Sequence, residues 1–133
     1  MDRILPPNVY IDVSLIPTAG LGAFAKMPIK KNEVLGDYTG RECTIYDDGD
    51  YVLLIEGHNG RKRILKCIDA EDPATSGWPR YLNSVTRKNK SEQNCTFFIN
   101  GDKVSVKAIK DIAAGSELLV FYGDQYFWVY LRS

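Results

Sequence analysis

Short runs of alternating apolar and polar residues, broken repeatedly by turn-forming residues, dominate the chain. Such alternation puts one face of a strand against a core and the other in water. Residues 9–15 alternate in this way and predict a strand. Pro17-Thr18-Ala19-Gly20-Leu21-Gly22-Ala23-Phe24-Ala25 predicts a turn and then a short strand. Ile29-Lys30-Lys31-Asn32 predicts a turn, residues 33–38 a strand, and Thr39-Gly40 its end. Asp47-Asp48-Gly49-Asp50 predicts a loop. Tyr51-Val52-Leu53-Leu54-Ile55 predicts a strand, Gly57-His58-Asn59-Gly60 a hairpin-like turn, and the alternating basic and apolar residues 61–68 its partner.

Residues 69–77 are polar and include Pro73. Residues 78–82 predict one or two helical turns, and 87–93 a polar, largely basic loop. Residues 97–99 and 104–109 flank Asn100-Gly101-Asp102, which predicts a second hairpin. Ala113-Ala114-Gly115-Ser116 predicts a turn before a strand at 117–122, and the tail 126–131 is strongly aromatic. No long amphipathic helix is predicted, so the expected class is mostly β. One echo stands out. Ile29-Lys30-Lys31-Asn32-Glu33-Val34-Leu35 resembles Ile112-Ala113-Ala114-Gly115-Ser116-Glu117-Leu118 with one residue inserted, and a tyrosine, Tyr38 or Tyr122, follows each. Two copies are too few for a solenoid and predict a pseudo-duplicated β unit.

Composition narrows the function. The 133 residues fit one domain, residues 1–133, with a core expected over 9–128. Hydrophobic residues are 44% of the chain, enough for a buried core without staples. Lys plus Arg number 17 and Asp plus Glu number 17, so no global basic excess points to nucleic acid. No apolar run approaches the roughly 18 residues of a membrane span. Cys43, Cys67 and Cys95 form no close pair, and His58 is the one histidine, so no zinc site is expected. Three cysteines read as small buried hydrophobes in a reducing, intracellular compartment. His58 and the basic residues Arg61, Lys62, Arg63 and Lys66 read as solvated. The acidic set Glu42, Asp47, Asp48, Asp50 and Glu56 reads as a solvated loop or as a guide for a basic peptide.

Four blocks in order carry a family resemblance: Gly20-Leu21-Gly22 before Phe24; Gly36-Asp37-Tyr38-Thr39-Gly40; Arg80-Tyr81-Leu82-Asn83-Ser84; and Glu117-Leu118-Leu119-Val120-Phe121-Tyr122-Gly123-Asp124. Together they resemble the SET domain of protein-lysine methyltransferases, and the Arg80–Asn83 block followed by Glu92-Gln93-Asn94 is similar to the PR/SET subfamily. The resemblance implies a β-clip-like fold of short strands in small sheets, with a short helix and a C-terminal pseudo-knot. It implies S-adenosyl-L-methionine as cofactor, a basic lysine-bearing peptide or histone tail as partner, and a nuclear location. By the same resemblance Tyr122 is the catalytic tyrosine and Tyr38 a second tyrosine at the lysine channel. Ala19, Gly20, Leu21, Gly22, Tyr51, Asn83, Ser84 and Tyr126 hold the cofactor, and Val120, Phe121 and Tyr122 line the channel. Relatives often carry Phe or Tyr at the Val120 position, so valine implies room for di- or trimethylation.

The pattern departs in two places. Asn83-Ser84-Val85 stands where most SET enzymes have Asn-His-Ser, and no cysteine cluster follows the domain. The aromatic tail or a second subunit would then supply the missing channel wall, which allows a homodimer. A catalytically silent PR/SET interaction module and a β-clip domain binding a small polar ligand are the competing expectations. Neither membrane nor direct nucleic-acid contact is expected.

Overall fold

The computed structural model describes residues 6–42, 52–59, 62–74, 76–101 and 103–121; for 52–59 and 62–66 it describes the backbone alone. The elements in chain order are β1 (Val9–Val13), β2 (Leu21–Ala25), β3 (Val34–Asp37), β4 (Arg41–Glu42), β5 (Val52–Asn59), β6 (Lys62–Asp69), a 3-10 helix at Trp78–Tyr81, β7 (Asn83–Ser84), a second 3-10 helix at Arg87–Glu92, β8 (Cys95–Asn100), β9 (Lys103–Ala108) and β10 (Leu119–Val120). They form four small sheets: β1-β2, β3-β9-β8, β4-β6-β5 and the parallel pair β10-β7. This is the mostly-β arrangement that the alternating pattern predicts.

The core lies between the sheets. Ala23 and Ala25 of β2, Val104, Val106 and Ala108 of β9, and Phe97 of β8 are all almost fully buried. Small residues on β2 and β9 let these strands approach their neighbours closely. Trp78 enters from the first 3-10 helix and lies against Gly36, where an added Cβ would sit 2.7 Å from the indole Nε1. That contact requires glycine at position 36.

The internal echo is a structural repeat. Ile29 and Ile112 face each other and exchange N–H···O bonds of 2.9 and 2.8 Å. Asn32 and Gly115 occupy matching positions in their turns, and both have positive φ, 74° and 87°. The Asn32 N–H donates to the Ala108 carbonyl at 2.8 Å, as the Gly115 N–H does to Ala25 at 2.7 Å. Ala108 N–H returns to the Glu33 carbonyl at 3.0 Å, and Ala25 N–H to Ser116 at 2.9 Å. The two turns therefore match without an insertion. Ser116 corresponds to Glu33, and Glu117, opposite Phe24, corresponds to Val34, opposite Lys107. The inserted residue expected from the sequence is instead a one-position shift of the glutamate.

Other expectations need correction. The strand of the first hairpin runs through Gly57, His58 and Asn59, where the sequence pattern predicts a turn, and Asn59 pairs with Lys62. The basic loop at 87–93 contains a 3-10 helix, whose Thr86 cap accepts from the Asn89 N–H at 3.3 Å. The expected strand at 117–122 is regular only at Leu119–Val120 within the described residues. The two-residue strands β4 and β7 carry no alternation signal. Cys95 is the free, buried thiol expected, but Cys67 is disulfide-bonded. Bonding requires close Cβ approach, which spacing along the chain does not encode. The loop 47–50, Tyr51, Tyr122, the tail with Tyr126 and Trp128, and the expected pseudo-knot lie outside the described residues.

Candidate functional site

Glu117 is the residue that organises the site. Its side chain is buried, with the residue 6% exposed. A buried carboxylate is costly unless donors surround it. Here Ser14 Oγ donates to Oε2 at 2.7 Å, Asn83 Nδ2 donates to Oε2 at 3.2 Å, and the Leu15 N–H donates to Oε1 at 2.9 Å. Ser14 Oγ in turn accepts from the Ile16 N–H at 3.0 Å. One carboxylate thus collects the loop 14–20, strand β7 and its own segment. Gly22 belongs to the same packing, because a Cβ there would strike the Glu117 carboxylate and come within 3.2 Å of Asn83 Nδ2.

The backbone around Glu117 is fixed from both sides. Leu118 N–H donates to the Ala23 carbonyl at 2.8 Å. Asn94, buried just before β8, acts through its side chain as a one-residue strand partner. Its Nδ2 donates to the Glu117 carbonyl at 2.9 Å, its Oδ1 accepts from Leu119 N–H at 2.8 Å, and its own N–H donates to the Leu119 carbonyl at 3.0 Å. The next residues pair in parallel with Asn83 and Ser84, and Val85 N–H donates to the Val120 carbonyl at 2.8 Å. So β7 and β10 run side by side, and β10 leads directly into Phe121.

A cleft of about 530 Å³ opens beside this junction. Its lining includes Leu15, Ile16 and Pro17, Ser84, Val85 and Thr86, and Glu117 and Leu119. Of the residues expected to hold a cofactor, Ser84 lines the cleft. Asn83 and Leu21 are joined to it through Glu117, since Asn83 Nδ2 also donates to the Leu21 carbonyl at 3.0 Å. Ala19, Gly20 and Gly22 complete the same loop and strand start. Gly20 has φ 78° with open space where a Cβ would point, so the backbone turn, rather than crowding, selects glycine there. Sequence reasoning missed Leu15, Ile16, Pro17 and the role of Glu117, although the glutamate opens a quoted motif.

The channel residues are placed less uniformly. Val120 is fully buried in the core. Phe121 is 5% exposed and lies under the second 3-10 helix, with Lys90 Nζ 5.2 Å and the Arg87 guanidinium 5.8 Å from its ring centre. Tyr38 is buried at the end of β3, its ring edge-on to Phe97 at 5.6 Å. Two residues further, a second cleft of about 660 Å³ is lined by Gly40, Arg41, Asp69, Glu71 and Asp72. Arg41 Nη2 pairs with Asp69 Oδ2 at 3.0 Å, and Asp72 Oδ1 accepts from the Ala74 N–H at 2.9 Å; Glu71 and Asp72 are both solvent-exposed on that wall. Arg80 fixes the loop that carries them, donating from Nε to the Ala70 carbonyl at 2.7 Å and from Nη2 to Glu71 at 2.9 Å.

Among the described residues no group of three or more His, Cys, Asp or Glu side chains is arranged to hold a metal ion, and no helix is long and apolar enough to cross a membrane. Comparison with known proteins gives this geometry a family. A family model described as the PR domain of PR domain zinc finger protein 2 matches residues 9–131. The Caenorhabditis elegans histone-lysine N-methyltransferase set-17 is 40% identical over 128 residues, which are 93% of this chain and 44% of that protein. The methyltransferase domain of human PR domain-containing protein 2 superposes with a TM-score of 0.72 at 30% identity, over 88% of this chain and 78% of that one. A polycomb repressive complex 2 structure, ctPRC2 in an autoinhibited conformation bound to S-adenosylmethionine, matches with a TM-score of 0.64 at 26% identity, over 90% of this chain and 15% of that one. The chain spans less than half the length of its worm relative, and it belongs to the PR-domain family, with the SET-domain fold of methyltransferases.

Proposed function

We propose that the chain is the methyl-transferring domain of an S-adenosyl-L-methionine-dependent protein-lysine N-methyltransferase that acts on a histone tail. The observation that carries this reading is the junction at Glu117, where the Arg80–Ser84 and Glu117 blocks meet beside one cleft and the Gly20-Leu21-Gly22 block is tied in through Asn83. The cleft fits a nucleoside-sized cofactor. Its volume of about 530 Å³ falls within the range of small-molecule sites, roughly 300–1,000 Å³. Its walls offer apolar surface from Leu15, Ile16 and Val85 beside polar groups of Ser84 and Thr86. When bound, the cofactor supplies an electrophilic methyl group on a sulfonium.

The chain's own residues would then bind and align the amine, whose proton leaves to water before transfer. A free lysine has a pKa of about 10.4 and must reach the methyl as a neutral amine. Enclosure between apolar walls disfavours the ammonium, so no histidine base is required. Val120 and Tyr38, both held in the core, would supply fixed walls of such a channel. Tyr122, with a hydroxyl that both donates and accepts, would orient the amine along the line of attack. Tyr51 and Tyr126 complete the cofactor set that the family resemblance suggests. Valine at 120 leaves room for more than one methyl. The acidic wall at Glu71 and Asp72 supports a basic peptide as substrate, drawn in by charge before one side chain enters the channel.

A second reading has one observation in its favour. Ser84 stands where the Asn-His-Ser motif has histidine, and its hydroxyl donates to the neighbouring Val85 carbonyl at 2.9 Å. A PR domain without transfer activity, serving in protein interaction, accommodates that substitution. Titration calorimetry with S-adenosylmethionine, followed by mass spectrometry of histone H3 and H4 peptides, separates the two. Saturable binding with methylated product supports the enzyme, and loss of product in Tyr122→Phe supports its assignment. Absence of cofactor binding supports the silent module. A time course that stalls at monomethyl-lysine would overturn the role given to Val120.

A further inference from the structure

We infer that Glu117, acting with Ser14, is a positioning residue that holds the loop 14–20 in the shape the cleft requires. The inference rests on the reading above that the cleft takes the cofactor. Three consecutive residues of the loop converge on the carboxylate: Ser14 through its hydroxyl, Leu15 through its N–H, and Ile16 through the Ser14 hydroxyl. These same residues lead into the cleft wall of Leu15, Ile16 and Pro17. Among the described residues the loop's other restraints are few. Leu15 is 74% exposed, and the loop's own backbone bonds are Ser14 N–H to Gly20 at 2.8 Å and Ala19 N–H to Ile16 at 3.2 Å.

The loop also contains a strained residue. Thr18 has φ 66°, a left-handed conformation that a β-branched side chain rarely adopts. Such a conformation persists only where surrounding contacts over-determine it. Glu117 is suited to do so because its own backbone cannot relax: Leu118 is bonded to β2, and Asn94 brackets the carbonyl of Glu117 and the N–H of Leu119. The carboxylate is therefore a fixed acceptor, and the loop conforms to it.

The test is Glu117→Gln in the intact chain, which keeps the side-chain shape but turns one acceptor into a donor facing Ser14 and Asn83. Cofactor KM should rise about tenfold or more, the size expected from one lost charge-assisted hydrogen bond, while peptide KM stays within about twofold. Native-state hydrogen exchange should show the Leu15 and Ile16 amides exchanging faster, with β8 and β9 unchanged. Adding Thr18→Gly, which removes the strain, should recover part of the lost cofactor affinity. Unchanged cofactor KM with unchanged exchange at Leu15 overturns the inference, and so does an equal rise in both KM values with faster exchange throughout the core. If the unsubstituted chain binds no cofactor, the proposed function fails. Faster exchange confined to the loop in Glu117→Gln would then still establish that Glu117 holds it.

Discussion

Asn94→Ala should be among the most destabilising truncations in the domain, because of what the amide bonds rather than any apolar surface it buries. The side chain satisfies two backbone groups that have no other place in a ladder, the Glu117 carbonyl at 2.9 Å and the Leu119 N–H at 2.8 Å. The residue is 7% exposed, so water cannot simply take over both bonds. Leaving a buried donor or acceptor unsatisfied costs about 1–3 kcal/mol each, which gives about 2–6 kcal/mol for the pair. A domain of this kind has about 5–15 kcal/mol in total, so the loss is a large share. With a slope of about 1.5–2 kcal/mol per molar urea, a central loss of about 4 kcal/mol moves the unfolding midpoint down by about 2–2.7 M. Equilibrium urea unfolding followed by tryptophan fluorescence measures this directly. Thr86→Ala is the control: its hydroxyl caps an exposed 3-10 turn, and its loss should cost about 1 kcal/mol or less. A midpoint shift for Asn94→Ala no larger than that of Thr86→Ala would refute the view that Asn94 acts as a strand substitute.

Three further outcomes are expected. Gly22→Ala drives a methyl into the Glu117 carboxylate and should cost about 1–3 kcal/mol by urea unfolding; a variant of unchanged stability would show that the carboxylate is free to move. Burial pushes the Cys95 thiol from 9.0 up to about 12. The unfolded chain then loses its proton first, so this group's contribution to stability falls as pH rises from 9.0 towards about 12, and unfolding midpoints of the native chain and Cys95→Ala should converge or cross over that window; parallel curves would contradict the burial. The double charge reversal of Glu71 and Asp72 to lysine should raise peptide KM several-fold at low salt and leave cofactor KM unchanged, and equal effects on both constants would remove the acidic cleft from substrate guidance.

What could be read from the sequence was local. The hairpin over Asn100-Gly101-Asp102, with Asn100 paired to Lys103, follows from alternation and turn chemistry. Gly20, Gly22, Asn83 and Ser84 were legible as a set because they stand in ordered motif blocks. The reasons for them were not. Gly22 is required by a carboxylate across the fold, and Asn83 spends its amide on Leu21 and Glu117. The bonds that matter most join residues 103 and 102 positions apart, Ser14 and Leu15 to Glu117. No periodicity encodes a contact of that separation. The short strands β4 and β7 were invisible for a related reason, since each is defined only by the neighbour it pairs with. Phe121 reads as an apolar channel residue, yet two cations cover its ring, an arrangement set by the 3-10 helix that the basic loop forms.

The repeat explains how the clamp arises. In the first copy Glu33 sits on the turn itself, accepting from Asn8 Nδ2 at 2.9 Å, and the next residue, Val34, is 52% exposed. In the second copy the glutamate has moved one position along, to the place of Val34. Adjacent residues of an extended segment point to opposite faces, so a one-residue move changes the face completely. The face that is open at Val34 is covered at Glu117 by the loop 14–20 and by Asn83. A carboxylate that serves a surface turn in one half of the repeat thus becomes a buried acceptor in the other. The asymmetry puts the buried carboxylate, and the cleft of about 530 Å³ beside it, at the second copy.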